Sequence, residues 1–325
     1  MLQSKSFKAI VIQLLILVVF LGGVWFILHT AGHNLDRLGV AQSGRGFKFL
    51  THKTQFSINF SPISYSEDST YLRLFIVGIL NTLMVSALGI FFATILGFIV
   101  GILKIGGNKA LRIISHSYVE LMRNIPLLIQ ILFWYFMALN ILPSPKNSLS
   151  FAGSFFLNNR GLSIPFPELS THGLQLSLPA WQGFNFVGGV TIIPEFVALL
   201  FALSTYTAAF IAEIVRAGIQ GVSHGQVEAA RALGFSRFQV LRFVVIPQGF
   251  RIMIPPLTSQ YLNLTKNSSL AMAIGYPDLF AVFAGTALNQ SGQAIEIIAM
   301  TMGVYLVMSL MTSLFMNWFN LRYAL

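Results

Sequence analysis

The chain has 325 residues, 55% of them hydrophobic and 9% charged, with a mean hydropathy of +0.74 and a formal net charge of +10. A soluble domain carries roughly a quarter charged residues, so this composition is that of an integral membrane protein. Its positive charge then reads as loop Lys and Arg setting topology, with no nucleic-acid partner implied. The lack of cysteine excludes disulfides, thiolate metal sites and cysteine nucleophiles.

A membrane span needs about 20 apolar residues, and the chain offers six candidates in order. The first, 9–28, follows Lys5 and Lys8. Its run is longer than a signal-peptide core, and the "HTAGH" after it is a poor cleavage site, so a retained anchor is expected. The others are 74–103, 125–142, 191–212, 252–273 and 297–315. The expected fold class is therefore all-α, a polytopic membrane protein of about six transmembrane helices. Segments at 29–71 and 143–190 are long connecting loops.

Orientation follows from the basic residues. With the N-terminus inside, the inner segments hold Lys5, Lys8, Lys104, Lys109, Arg112, Arg216, Arg231, Arg237, Arg242, Arg251 and Arg322. The outer loops hold Arg37, Arg45, Lys48, Lys53, Lys146 and Arg160. Eleven in short segments against six in two long ones place both termini in the cytoplasm.

The stretch "GQVEAARALGFSRFQVLRFVVIP", residues 225–247, is then cytoplasmic. Ser223 with Gln226, and Ser236 with Gln239, fit two capping boxes, each opening a short helix. Gly234 stands where the first helix should stop in a left-handed turn, and Pro247 should end the second. Val227, Ala230 and Leu233 share one face; Phe238, Leu241 and Val245 share the other. The hairpin has two readings at this point: a docking element for another protein, or a membrane-surface hairpin gripping anionic lipid through Arg231, Arg237 and Arg242.

No group for catalysis or metal binding stands out. "GILKIGGNK" lacks the Gly-Lys-Ser/Thr ending of an ATP-binding loop. His29 and His33 are four apart but lie, with His52 and His172, in outer segments; His116 and His224 are isolated, and no Ser-His-Asp arrangement can be argued. What remains are polar residues in apolar spans, which are costly and often functional. Asn81, Gln130, Ser204, Tyr206, Thr207, Ser259 and Lys266 are such groups, some expected to face a cavity and others to bridge helices. Glu120 with Arg123, and Glu213 with Arg216, are three apart on a helix and can pair with each other. Alternatively they line a pathway and meet the charged ends of a zwitterion. Gly89, Ala93, Gly97 and Gly101 form a small-residue ladder for helix packing. Pro126 and Pro255-Pro256 predict helix breaks.

"EAARALGFSRFQVLRFVVIP" resembles the EAA loop of ABC-importer permeases. "NTLMVSALGI", "YVELMRNIPLLIQ", "AAFIAEIVRAGIQGVSHGQVEAARALG" and "LTKNSSLAMAIGYPDL" resemble the polar amino-acid permease family, and together they cover roughly residues 74–140 and 191–320. "NLDRLG" with "GFKFL", and "LNNRGL", are similar to its general L-amino-acid subgroup. The resemblance implies a type I ABC-importer permease fold at 72–320, with the anchor at 1–28 in front, an outer loop at 29–71, an outer insert at 143–190 and a coupling loop at 222–247. It implies that Glu228, Ala229, Ala230, Arg231, Gly234 and Phe235 engage a separate ATPase. Asn81, Glu120, Arg123, Gln130, Tyr206, Thr207, Glu213 and Lys266 are candidates for the substrate pathway. The implied partners are an ABC ATPase dimer holding ATP and Mg, a second permease subunit (related or identical), a periplasmic amino-acid-binding protein and the amino acid itself. No cofactor is expected on this chain, and the implied location is a bacterial inner membrane. An ion-gradient-driven secondary transporter is the alternative, but no second copy of either the EAA stretch or "YVELMRNIPLLIQ" supports an internal repeat. A purely structural scaffold would not need polar groups at mid-span.

Overall fold

The computed structural model describes residues 46–170, 173–183 and 185–323, with residues 18, 19, 22, 23 and 26. Those five are helical; the rest of the expected anchor, and the loop from 29 to 45, lie outside the described residues. Among the described residues four helices are long and apolar enough to cross a membrane, and one bent pair makes a fifth crossing if taken as a single span.

Helix α1 (Tyr71–Ile105) starts at Thr70, whose hydroxyl accepts from the Arg73 N–H. Helix α2 (Lys109–Asn124) starts at Asn108, whose side chain accepts from the Ala110 and Leu111 N–H groups. Both caps satisfy donors that the first helical turn leaves open. Pro126 then breaks the chain as expected: Ile125 is extended, as residues before proline tend to be, and α3 (Leu127–Ile141) leaves at 104° to α2. The expected span at 125–142 is thereby corrected. Its helix has 15 residues, about 22 Å at 1.5 Å per residue, short of a hydrocarbon core of about 30 Å.

Helix α4 (Pro194–Gln220) packs against α1, α2, α3 and the later α7 (Ile246–Asn267). Leu199, Ala202, Leu203, Ala208, Ala209, Ile211 and Ala212 on it are fully or nearly fully buried. The small-residue ladder of α1 provides the seam. A Cβ at Gly97 would stand 2.6 Å from Ile211, one at Gly101 would stand 2.7 Å from Val215, and one at Gly89 would stand 3.2 Å from Leu264 of α7. The opposite face of α1, including Phe91, Ile95, Ile99 and Ile102, is exposed, as a lipid-facing surface should be.

After α4 come α5 (His224–Ala232) and α6 (Arg237–Val240). Pro247 does not end this second helix. The chain widens through a π turn at Leu241–Val245, with the Ile246 N–H reaching back to the Leu241 carbonyl, and runs on into α7. That extra residue per turn accommodates the proline. Nor do Pro255 and Pro256 break α7; their rings are exposed while Met253, Ile254 and Leu257 beside them are buried, so packing holds the helix together. A 3₁₀ turn (Ser268–Ile274) closed by Gly275 at φ +77°, a π segment (Phe280–Ala287), the short α8 (Leu288–Ser291) and α9 (Ala294–Tyr323) complete the helices.

The insert departs from an all-helical reading. Among the described residues eight short strands occupy it: β1 (Leu149–Phe151), β2 (Phe155–Asn158), β3 (Gly161–Ile164), β4 (Phe166–Ser170), β5 (Gly173–Ser177), β6 (Ala180–Gln182), β7 (Asn185–Val187) and β8 (Val190–Ile192). They form an antiparallel sheet in the order β1-β2-β3-β8 and two hairpins, β4-β5 and β6-β7. Phe156 stacks on Phe186, joining the sheet to the second hairpin. On the other outer segment, Phe49 is buried between Tyr71 and Phe283. Lys53 pairs with Asp68 at 2.8 Å, and that hydrogen bond holds the exposed carboxyl below the usual carboxylate range.

Candidate functional site

Two neighbourhoods hold most of the expected functional residues. The first is the turn between α5 and α6. Gly234 has φ +84°, its N–H donates to the Arg231 carbonyl at 2.9 Å, and the Phe235 N–H donates to the Ala230 carbonyl at 3.1 Å. This is a Schellman closure, which satisfies two of the helix's last carbonyls and requires the left-handed residue at Gly234. Ser236 then opens α6 with a complete capping box, exchanging bonds with Gln239. The box expected at Ser223 does not form: its side chain makes no cap bond, and only its carbonyl engages α5, accepting from the Gln226 and Val227 N–H groups.

The expected apolar faces need a second correction. Ala230 and Val240 are buried and Val227 is half-buried, but Leu233 is 78% exposed and Phe238 67%. Phe235 and Leu241 are exposed as well, so the tip of the hairpin presents apolar side chains beside Arg231 and Arg237. Glu228 and Ala229 are exposed on α5. Among the described residues Glu228 makes no ion pair with Arg231, Arg237 or Arg242.

The second neighbourhood surrounds the bend at Pro126. Val119 of α2 is buried with Ala209 and Ala212 of α4, and the Tyr118 hydroxyl donates to the Thr205 carbonyl at 2.6 Å. Gln130, buried on α3, donates from Nε2 to the carbonyls of Met122 and Ile125 at 2.9 and 3.0 Å. The carbonyls freed by the break are thus capped by a side chain. Oε1 of Gln130 is buried without a partner. Arg123 and Glu120 are exposed at the end of α2. They do not pair with each other: among the described residues Glu120 accepts only a long 3.5 Å bond from Asn124, and the Arg123 guanidinium lies 5.2 Å from the ring centre of Phe210. Phe210 packs against Tyr206, with ring centres 5.0 Å apart, and Thr207 is buried one turn from Phe210.

The remaining expected pathway residues lie elsewhere. Glu213 and Arg216 do pair, at 2.8 Å, and Glu213 also accepts from Lys104 of α1, which sequence spacing alone did not connect to it. Arg216 extends the set to Gln220 at 2.6 Å. Asn81 is fully buried and donates to the Pro277 carbonyl at 2.8 Å and, more weakly, to that of Phe60. Lys266 is exposed near the end of α7.

Sequence reasoning passed over Asp278. It is fully buried, accepting from the Ala281 N–H at 2.8 Å and from the Tyr305 hydroxyl at 3.1 Å. Around it the Tyr276 hydroxyl donates to the Asn81 carbonyl, and the Leu279 N–H donates to Thr82. A lone acid after proline in the apolar "GYPDL" was the available signal. Among the described residues no group of three or more His, Asp and Glu side chains could hold a metal ion.

Residues 93–324 match the family model for the binding-protein-dependent transport system inner membrane component. The chain is 46% identical to the protein YhdX of Escherichia coli (strain K12), over 99% of this chain and 95% of that one. It is 45% identical to the general L-amino acid transport system permease protein AapQ of Rhizobium johnstonii, over 100% of this chain and 94% of that one. A crystal structure of an amino acid ABC transporter with histidines superposes with a TM-score of 0.57 at 26% identity, covering 78% of this chain and 95% of the other. The fold also matches the inward-facing MetNI methionine ABC transporter, with a TM-score of 0.54 at 17% identity over 78% of this chain and 97% of that one. With an EAA hairpin closed by Gly234 and a match over most of its membrane region, the chain belongs to the family of inner membrane components of binding-protein-dependent transport systems.

Proposed function

We propose that this chain is the permease subunit of an ATP-driven importer that moves amino acids inward across a bacterial inner membrane. The observation that carries the reading is the α5–α6 tip. A left-handed glycine and a full capping box fix it rigidly, yet it leaves Leu233, Phe235 and Phe238 in solvent. Exposed apolar side chains on a rigid tip mark a protein contact. The partner there is an ABC ATPase dimer carrying ATP and Mg, and the tip passes its motion into the membrane. Completing the importer are a second permease subunit, related or identical, and a periplasmic amino-acid-binding protein facing the two outer segments. Both termini of this chain are cytoplasmic in this arrangement. The names of its relatives support amino acids as cargo, with the general L-amino-acid class favoured.

Within the membrane part, the bend at Pro126 is the best-supported place for the cargo. Glu120 and Arg123 leave opposite charges unspent on each other, which suits the ammonium and carboxylate of a zwitterion. Gln130, Tyr206 and Thr207 complete the surroundings. Asn81 and Lys266 stand as outlying members of the same pathway, and Glu213 as its inner end.

Two substitutions test the coupling role. In Gly234→Asp, the left-handed backbone costs an L-residue roughly 1–2 kcal/mol, and new atoms occupy the tip. Glu228→Lys reverses the loop's single acid. Both variants should insert at near-normal abundance while uptake of labelled amino acids collapses and the ATPase co-purifies poorly. Normal transport by either, or loss of the chain from the membrane, removes the coupling role from that residue. If the hairpin gripped lipid instead, loss of Arg231, Arg237 and Arg242 would hurt most and Gly234→Asp least.

A further inference from the structure

We infer that Phe210 is a positioning residue for cargo recognition, its ring holding the Arg123 guanidinium at the bend so that the N–H groups are available to a carboxylate. This inference rests on the reading that Arg123 meets the carboxylate of the transported amino acid. Arg123 ends a helix that is fixed in place one turn earlier, by buried Val119 against Ala209 and Ala212 and by the Tyr118 bond to Thr205. Its long side chain would otherwise be free to fold back onto Glu120, three residues away. It lies instead 5.2 Å from the centre of the Phe210 ring, within the range of a cation–π contact. Phe210 is held in turn by Tyr206 at 5.0 Å.

The contact does two things. It keeps Arg123 from neutralising Glu120, so both charges remain for a zwitterion. It also restricts a side chain whose rotamer freedom would otherwise be lost on binding. An aromatic face engages the cation without using any of its five N–H donors, whereas a carboxylate partner would use them. Apolar contact alone would not hold the guanidinium in this way, and that difference makes the idea testable.

The test is equilibrium binding of labelled L-glutamine, with L-glutaminamide (which lacks the carboxylate) as the comparison ligand. The complete complex of both permeases and the ATPase is placed in nanodiscs without the binding protein. Phe210→Leu keeps an apolar side chain and removes the ring face; Phe210→Trp keeps a ring. Loss of a cation–π contact should weaken L-glutamine binding about two- to fivefold in Phe210→Leu, leave L-glutaminamide unchanged, and leave Phe210→Trp close to the parent chain. Equal weakening by Leu and Trp, or weakening of both ligands alike, would reduce Phe210 to packing and overturn the inference. Arg123→Gln separates the underlying reading: it should abolish the preference for L-glutamine over its amide. If that preference survives in Arg123→Gln, the carboxylate reading fails and the role of Phe210 fails with it. If the preference is lost in Arg123→Gln but Phe210→Leu binds normally, only the role of Phe210 fails.

Discussion

Two helices of the membrane region, α2 and α4, carry the same device, an acid followed three residues later by an arginine, and use it differently. On α4, Glu213 bonds Arg216 at 2.8 Å and takes in Lys104 from α1, forming a half-buried cluster satisfied within the chain. On α2, Glu120 and Arg123 stay apart, the arginine resting over Phe210. The i,i+3 spacing permits a pair in both cases, and the neighbouring element decides. Gly97 and Gly101 let α1 approach α4 closely enough for Lys104 to reach Glu213, which gathers charge inward. Phe210 offers Arg123 an aromatic face, which keeps the charges separate. One cluster spends its charge between helices; the other leaves an acid and an arginine unpaired with each other.

The strongest way to break this contrast is to push α1 off α4. Gly97→Val places a Cβ 2.6 Å from Ile211 and should cost at least the 1–3 kcal/mol or so typical of overpacking, parting Lys104 from Glu213. Folded chain, measured by size-exclusion of the detergent-solubilised protein, should fall severely; normal recovery would mean that the seam is loose. Next in size is Glu213→Gln. Removing one partner of a buried pair costs about 3–5 kcal/mol, and with 20% of the Glu213 side chain exposed the cost here should be about 1–3 kcal/mol. Abundance should drop several-fold. Adding Arg216→Gln should not restore it, because Lys104 stays uncompensated, whereas adding Lys104→Met should. A Glu213→Gln chain of full abundance would erase the distinction between the two clusters.

On the open side, Glu120→Gln should change abundance little, within about 0.5 kcal/mol as for most surface changes. It should nevertheless lower amino-acid uptake about tenfold, the loss expected for one charged hydrogen bond. Equal losses of abundance and uptake would make Glu120 a structural residue. The smallest expected effect comes from the two sequence-level capping boxes, where spacing and geometry again part. Ser236→Ala should destabilise the hairpin by about 1 kcal/mol, read as faster protease nicking of the loop. Ser223→Ala, which removes no cap bond, should leave it unchanged.

Much of the fold was legible because its signals are local. Apolar runs gave the long helices, Gly234 the Schellman closure, and Pro126 the bend. Proline misled where context overrode it: a π turn absorbs Pro247, and the exposed rings of Pro255 and Pro256 leave α7 intact. The insert strands were missed although their cues were present, with "FFLNNRGLSI" placing a turn between two short β-prone runs that became β2 and β3. The site was less legible for a different reason. Which charge Glu213 takes, and which ring Arg123 meets, depends on elements more than 80 residues apart in sequence, and no spacing rule reaches that far. Asp278 differs: its signal, a lone acid after proline in an apolar run, is local, and only its partner Tyr305, 27 residues on in α9, is not.

The central claim is that this chain carries amino acids inward under the drive of a partner ATPase. The most direct test is accumulation of labelled L-glutamine in proteoliposomes containing the full complex, with ATP sealed inside and the binding protein outside. Accumulation should require ATP, persist when ionophores collapse every ion gradient, and vanish in Gly234→Asp. Accumulation without ATP that ionophores abolish would contradict the account and make the chain a gradient-driven carrier.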